Sequence, residues 1–249
     1  MIVLKSQDEI DRMAVACRIV AEVLMKIRES IVPGMTTKEL DQIAESYILS
    51  QKATPAFKGY KGYPATLCTS LNDQVVHGIP GPAVLKEGDI ISIDVGVYQG
   101  GFYGDAAITL PVGQISEEAG KLLSATEEAL YKGIEKALVG NRLSDISYAV
   151  QKHAEADGFS VVKQFVGHGI GRELHEDPQI PNFGKPGVGP ILRDGMTLAI
   201  EPMINAGTWK VDVMNDGWTA VTRDHRLSAH FEHTVAVTKN GPLILTKFH

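Results

Sequence analysis

Between residues 8 and 29 the apolar positions Met13, Val20, Val23, Leu24 and Ile27 recur at near-helical spacing, with Arg18, Glu22 and Lys26 between them. That pattern predicts an amphipathic surface helix. After Val32-Pro33-Gly34 a second helix is expected from about Thr37, with Leu40, Ile43, Ala44 and Ile48 on its apolar face. The same two patterns return over 116–138 and, after Gly140, from about Ser144, with Ile146, Ala149 and Val150 inward. Leu40/Ile146 and Ile43/Ala149 share an offset of 106 (146 − 40, 149 − 43). Thr37 and Ser144 are the expected N-caps, because a hydroxyl can accept from the free N–H groups of a first helical turn.

Strand patterns occupy 90–98, 103–110, 196–204, 211–214, 219–222 and 230–238. Asn215-Asp216-Gly217 marks a hairpin turn, and 59–63 and 178–190 are Gly/Pro-rich and read as loops beside a site. The repeat continues in the strands. Leu85-Lys86-Glu87-Gly88 leads through an apolar run to Asp94, and Leu192-Arg193-Asp194-Gly195 leads through another to Glu201, at a constant offset of 107 (192 − 85, 201 − 94). Val76-His77-Gly78-Ile79 is echoed by Gly167-His168-Gly169-Ile170. The expected fold is α+β: one pseudo-symmetric domain over 1–249, with related halves of about 1–110 and 111–249. Its antiparallel sheet would carry the helices on one side.

The 249 residues are enough for a substantial core at 44% hydrophobic content. A net charge of −6 argues against nucleic-acid backbone as a main partner. Two cysteines, Cys17 and Cys68, make no disulfide framework and favour a reducing cytosol. The stretch 13–27 is too short and too charged to span a bilayer, so no membrane association is expected.

The chemistry lies in the acidic strand residues. Alternation puts Ser92, Asp94 and Gly96 on one strand face, and Tyr103, Asp105 and Ala107 on one face of the next. The Gln99-Gly100-Gly101 turn would bring Asp94 and Asp105 together. In the second half Glu201 and Glu232 occupy parallel positions; His230, Glu232 and Thr234 share a face, and His168 lies in the Gly-His-Gly loop. Buried carboxylates are penalised unless paired or metal-bound, and four together repel unless cations hold them. Four carboxylates and an imidazole suit two divalent ions of the Mn, Fe, Co or Zn type. Such a pair can share and acidify a water and polarise a carbonyl, which makes hydrolysis the natural reaction. Other motifs are incomplete. His175-Glu176 lacks the second histidine of a zinc helix, Gly167 to Gly171 lacks dinucleotide-loop spacing, and no phosphate loop or nucleophile elbow occurs.

In order and spacing, Asp94, Asp105, His168, Glu201 and Glu232 resemble the dinuclear centre of the type I methionine aminopeptidases. Val76-His77-Gly78-Ile79-Pro80, Ile93-Asp94-Val95-Gly96, Gly167-His168-Gly169-Ile170-Gly171-Arg172 and Ile200-Glu201-Pro202-Met203 carry the resemblance over essentially the whole chain, in its short bacterial form. It implies the "pita-bread" fold and removal of initiator methionine from nascent chains with a small second residue. Asp94 would hold one metal, Asp105 and Glu232 both, and His168 and Glu201 the other. The substrate's free amine would also bind a metal. His77 would hydrogen-bond the scissile amide and His175 the developing oxyanion, with Glu201 counted in the catalytic set. Tyr60, Tyr63, Cys68, Leu174 and Trp218 match the lining of the methionine pocket, with Phe57 at its entrance and Leu174 standing where relatives carry an aromatic residue. Asn72, Gln74 and Ser228 match a monovalent-cation site. The family's role further implies a cytoplasmic enzyme that meets nascent polypeptide N-termini near the ribosomal exit; no obvious interface is legible in the sequence, so a monomer is expected. Two other readings stay in view: an X-Pro-cleaving peptidase of the same fold, whose members usually carry an extra N-terminal domain, and a metal-free binding module.

Overall fold

The helices form where the periodicity puts them. The computed structural model describes residues 1–247 and sets the bounds as α1 (Gln7–Ser30), α2 (Thr37–Ser50), α3 (Glu117–Ile134) and α4 (Leu143–Ala156). The expected caps are displaced. Thr36 caps α2 in a reciprocal box with Glu39, and in α4 the Asp145 carboxylate accepts from the Arg142 N–H at 2.8 Å. Thr37 and Ser144 lie inside the first turns and use their hydroxyls differently. Thr37 Oγ1 donates to the Gly81 carbonyl and accepts from its N–H; Ser144 Oγ does the same with Val188. The residue with a Glu or Asp three positions on takes the cap, which frees the nearby hydroxyl to clamp the segment that crosses the helix start. Helix α3 also ends four residues early, its chain tightening into i→i−3 turns at Lys136 and Ala137.

The sequence repeat is a structural one. Gly34 N–H donates to Leu85 O and Gly140 N–H to Leu192 O; Thr37 N–H donates to Ala83 O and Leu143 N–H to Pro190 O. Isolated bridges join Thr36 to Val84 and Arg142 to Ile191. Each half thus ties the start of its second helix to the segment before its carboxylate-bearing strand.

Among the described residues, fifteen strands are numbered in chain order. The first half supplies β1 (Thr54–Pro55), β2 (Leu67–Leu71), β3 (Gln74–Val76), β4 (Ile90–Gln99) and β5 (Phe102–Pro111). The second supplies β6 (Ser160–Val161), β7 (Gly167–Gly169), β8 (Glu176–Ile180), β9 (Thr197–Ile200) and β10 (Met203–Asn205). It continues with β11 (Val211–Val213), β12 (Ala220–Thr222), β13 (Ser228–His230), β14 (Glu232–Thr238) and β15 (Gly241–Ile244). All pairings are antiparallel. A nine-stranded sheet runs β1-β4-β5-β14-β9-β7-β8, with β2 on β4 and β15 on β14; two small sheets run β13-β10-β6 and β11-β12-β3. The expected hairpin turn joins β11 to β12.

The helices close over the large sheet. Val20, Val23, Leu24 and Ile27 of α1 and Leu40 and Ile48 of α2 share one buried cluster with Ile91, Ile93 and Val95 of β4 and Leu198 and Val235 beyond. Each such side chain contributes about 1.5–3 kcal/mol on burial. Cys17 on α1 is wholly buried, and burial pushes its thiol up, out of the range of a reactive cysteine.

Three expectations on strands need correcting. The strand expected over 196–204 breaks at Glu201-Pro202, and the one over 230–238 breaks at Phe231. Pro202 has no N–H to donate to a ladder. The breaks are partners: β9 pairs β14 in the large sheet, and β10 pairs β13 in a small one. Two paired strands therefore turn a corner together, and Glu201, His230 and Glu232 stand at that corner. Lastly, the Gly/Pro-rich stretch 178–190 is not all loop, because β8 runs through Pro178 to Ile180. As the terminal strand of the order, β8 tolerates a proline. Among the described residues, no helix is long and apolar enough to cross a membrane.

Candidate metal centre and substrate cavity

The hairpin of β4 and β5 fixes two carboxylates. Asp94 lies opposite Ala107 and Asp105 opposite Gly96, while Ala107 on its other side faces Glu232 of β14. Directly paired residues share a face, as do residues two apart on one strand. Asp94, Asp105 and Glu232 therefore stand on one face around the small side chain of Ala107. His168 reaches them from β7, where it pairs with Ala199. Donor atoms of Asp105, His168 and Glu232, all buried, lie within 4.8 Å of one another. The His168 Nε2 atom is 3.9 Å from Asp105 Oδ2 and 3.6 Å from Glu201 Oε1.

The hydrogen bond on the far side of that ring decides its tautomer. His168 Nδ1 lies 2.9 Å from the Gly169 carbonyl, which can only accept, so Nδ1 carries the proton. Nε2 then turns its lone pair toward the carboxylates, the orientation a metal-ligating histidine needs.

The cluster is electrostatically incomplete without cations. Asp94 Oδ1, Asp105 Oδ1 and Glu232 Oε1 are buried with no hydrogen-bond partner among the described residues. Burial pushes Asp94 and Glu201 up to about 7. Burial, and then the neighbouring carboxylates, push Asp105 and Glu232 well above the usual range. Buried oxygens of this kind, with an imidazole lone pair beside them, fit divalent ions of the oxygen- and nitrogen-preferring type.

Beside the carboxylates opens a cavity of about 290 Å³. Its wall contains all five residues singled out for metal, together with His77 and His175. It also contains Phe57, Tyr60, Tyr63, Cys68, Leu174 and Trp218. The Tyr63 ring meets the Trp218 ring edge-on at 5.1 Å, and its buried hydroxyl donates to the Leu67 and Gly78 carbonyls.

The two histidine loops are held by close backbone approach. A Cβ at Gly78 would overlap the Thr69 carbonyl, and one at Gly169 the Asp177 carbonyl, so neither position admits a side chain without the strands parting. His77 itself sits in the left-handed region at φ 61°, which costs an L-residue about 1 kcal/mol and is tolerated here at the cavity wall. Its ring packs edge-on against Phe165 at 5.3 Å. Burial pulls His77 down to about 4 and His175 to about 3, so both imidazoles are neutral near pH 7.

His175 Nδ1 lies 2.9 Å from the Tyr60 hydroxyl, with the rings stacked at 5.2 Å. Replacing Tyr60 by Phe keeps the stacking and removes that hydrogen bond. A bond of about 1 kcal/mol corresponds to roughly a fivefold fall in kcat for peptide hydrolysis, with little change in melting temperature. Steady-state kinetics on Tyr60→Phe measure it.

Several cavity residues were not singled out from sequence, namely Val76, Gln164, Phe165, Val166, Met203 and His230. Phe165 and Gln164 lie in a short connection with no periodicity to betray them. His230 was legible only as a neighbour of Glu232 on an expected strand face. As for the remaining candidates, the Asn72 carbonyl accepts from the Ser228 N–H at 2.8 Å, and the Gln74 side chain accepts from the Leu71 N–H at 2.9 Å.

Residues 11–239 match metallopeptidase family M24. The chain belongs to that family. Within M24, it is 59% identical to the methionine aminopeptidase of Clostridium perfringens over 246 residues, covering 99% of both chains. It is 54% identical to methionine aminopeptidase 1 of Bacillus subtilis, covering 99% of this chain and 100% of that one. The crystal structure of a methionine aminopeptidase from Thermotoga maritima superposes with a TM-score of 0.98 at 50% identity, covering 99% and 100% of the two chains. A prolidase from Pyrococcus horikoshii shares the fold at a TM-score of 0.81 and 24% identity, this chain covering 64% of it. The architecture is thus the pita-bread fold of M24, a curled antiparallel sheet with four helices.

Proposed function

We infer that this chain is a metal-dependent methionine aminopeptidase that removes the first methionine from peptides and nascent proteins with a small second residue. The observation that carries this reading is the junction of two surfaces in one cavity. An apolar, aromatic wall of Phe57, Tyr63, Cys68, Leu174 and Trp218 ends at a buried cluster of orphaned carboxylate oxygens. The identity to curated methionine aminopeptidases supports the same conclusion. The whole chain would act as one catalytic domain built from two related halves.

Asp94, Asp105, His168, Glu201 and Glu232 would hold two divalent ions of the Mn, Co, Fe or Zn type. The chemistry such ions supply when bound is a water acidified toward neutral pH and a polarised carbonyl. The protein's own groups do the rest. The methionine side chain, flexible and polarisable, packs among the aromatic rings, where sulfur contacts are favourable. Because His77 and His175 are neutral, each can donate one N–H without bringing a competing positive charge to the site. A Tyr60 hydroxyl donating to His175 Nδ1 leaves the proton on Nε2, free to stabilise the oxygen that gains charge as the carbonyl becomes tetrahedral. His77 would donate to the scissile amide from its pinned loop. Half-buried Tyr60 and exposed Lys61, beside Phe57, would form the mouth through which the following residues leave. Two buried, unpaired cysteines suit a reducing cytosol as the compartment.

Side-by-side hydrolysis of Met-Ala-Ser and of a Gly-Pro peptide tests the assignment. Release of methionine from Met-Ala-Ser by at least about a hundredfold preference in kcat/KM is expected, the scale of a pocket matched to one large side chain. Preferential Gly-Pro cleavage would assign the cavity to the prolidase branch of the fold instead.

A further inference from the structure

His230 is a buried histidine at the cavity wall, 2% exposed, and its Nε2 has no hydrogen-bond partner among the described residues. A buried polar atom without a partner is rare and asks for an explanation in the site it faces. Glu201 Oε2 lies 3.5 Å from it, and the charge of Asp94 also acts on the ring. The other oxygen of the same carboxylate, Oε1, lies 3.6 Å from His168 Nε2. Glu201 is therefore bracketed by two imidazoles, one on each oxygen.

The backbone holds His230 in that position. It is the last residue of β13, paired with Met203 across the strand corner. Thr109 Oγ1 accepts from the His230 N–H at 2.9 Å and donates to its carbonyl at 2.8 Å. Ser92 Oγ lies 2.9 Å from the same hydroxyl, which anchors the corner to β4 and β5. The break at Phe231 then directs His230 and Glu232, two residues apart, to the same cavity.

We propose that His230 is a positioning residue of the metal centre: its Nε2–H holds Glu201 Oε2, so that Oε1 is presented, beside His168, to the metal. The proposal rests on the reading of Glu201 as a ligand. His168 has its proton fixed on Nδ1 and offers Nε2 as a lone pair, whereas His230 would offer Nε2 as a donor. The two rings thus act on one carboxylate in opposite senses, one sharing its metal and the other fixing its rotation. An outer partner of this kind typically governs 10–100-fold in metal affinity.

The test is Co(II) titration of the metal-stripped protein, followed by calorimetry and by the visible absorption of the bound ion. Parallel titrations use His230→Leu, His230→Gln and Glu201→Ala. Glutamine places an amide N–H close to the position of imidazole Nε2; leucine fills the space without a donor. His230→Leu is expected to weaken the tighter Co(II) site 10–100-fold and to alter its absorption band, while His230→Gln stays within about threefold of the parent. Parent-like affinity and spectrum in folded His230→Leu overturn the proposal. So does a folded His230→Gln that loses tenfold or more, and this outcome decides the matter even if the leucine variant does not fold. Glu201→Ala separates the two readings. If it binds Co(II) as the parent does, the ligand assignment of Glu201 is what fails; if it loses affinity while His230→Leu does not, only the role of His230 fails.

Discussion

Asp105→Ala and Glu201→Ala are each expected to lower kcat/KM for Met-Ala-Ser by about a thousandfold or more, because several kcal/mol of transition-state stabilisation would depend on the proposed metal centre they help to form. Asp105 occupies the middle of the cluster, near His168 and in contact with the charges of Asp94 and Glu201. Glu201 stands at the strand corner between two histidines. General misfolding is excluded as the cause by a second expectation of opposite sign. Without metal, a buried carboxylate among others opposes folding, so metal-free Asp105→Ala should melt above the metal-free parent. Thermal melts with and without chelator measure it. A variant that is less stable and still active would remove Asp105 from the centre.

The second large effect is a pH dependence of stability that metal abolishes. Asp94 and Glu201 are raised from 3.8 and 4.5 to about 7, and burial and the neighbouring carboxylates raise Asp105 and Glu232 in the same direction. A raised folded pKa means that the native state binds more protons than the unfolded chain. The associated stability is fully present below the unfolded pKa and is lost as pH rises through the folded one. Metal-free protein should therefore lose stability between about pH 6.5 and pH 8.5, on the order of a few kcal/mol, or roughly 5–10 °C in melting temperature. Below about pH 6.5 the opposite sign enters. Buried His77 and His175, depressed to about 4 and 3, remain neutral in the fold while the unfolded chain takes up protons. Metal-free stability should thus peak near pH 6. With Mn(II) or Co(II) bound, the carboxylates stay ionised and the loss above pH 6.5 should disappear. Melting curves across that range, with and without metal, supply the comparison. A flat metal-free profile would mean that the cluster is solvated or already neutralised.

Period two and the internal repeat make most of the candidate site legible in the sequence. Asp94 and Asp105 follow from alternation on two strands joined by a glycine turn, and Glu201 and His168 follow because the second half repeats the first. Alternation fails where a strand stops being regular. Alternation alone predicts strands unbroken through Pro202 and Phe231, yet the corner made by the breaks there brings His230 and Glu201 together. A one-dimensional pattern has no term for two paired strands leaving a sheet at the same point. The caps show a smaller failure of the same kind. Thr36 and Thr37 are adjacent hydroxyls, and the choice between them depends on Glu39 reaching back and on Gly81 arriving from across the fold. Pro178 suggested a loop because its tolerance depends on lying at a sheet edge, which is a property of the topology. Phe165, packed against His77 across the cavity, is a tertiary contact between unremarkable positions.

Metal dependence is tested most directly by measuring metal content and peptidase activity on the same samples of protein purified without added metal, then stripped and reloaded with Mn(II) or Co(II). Methionine release from Met-Ala-Ser should rise in proportion to bound metal, vanish on stripping and return on reloading, and Asp105→Ala should recover neither full metal content nor activity. Undiminished activity in the fully stripped protein would contradict that dependence.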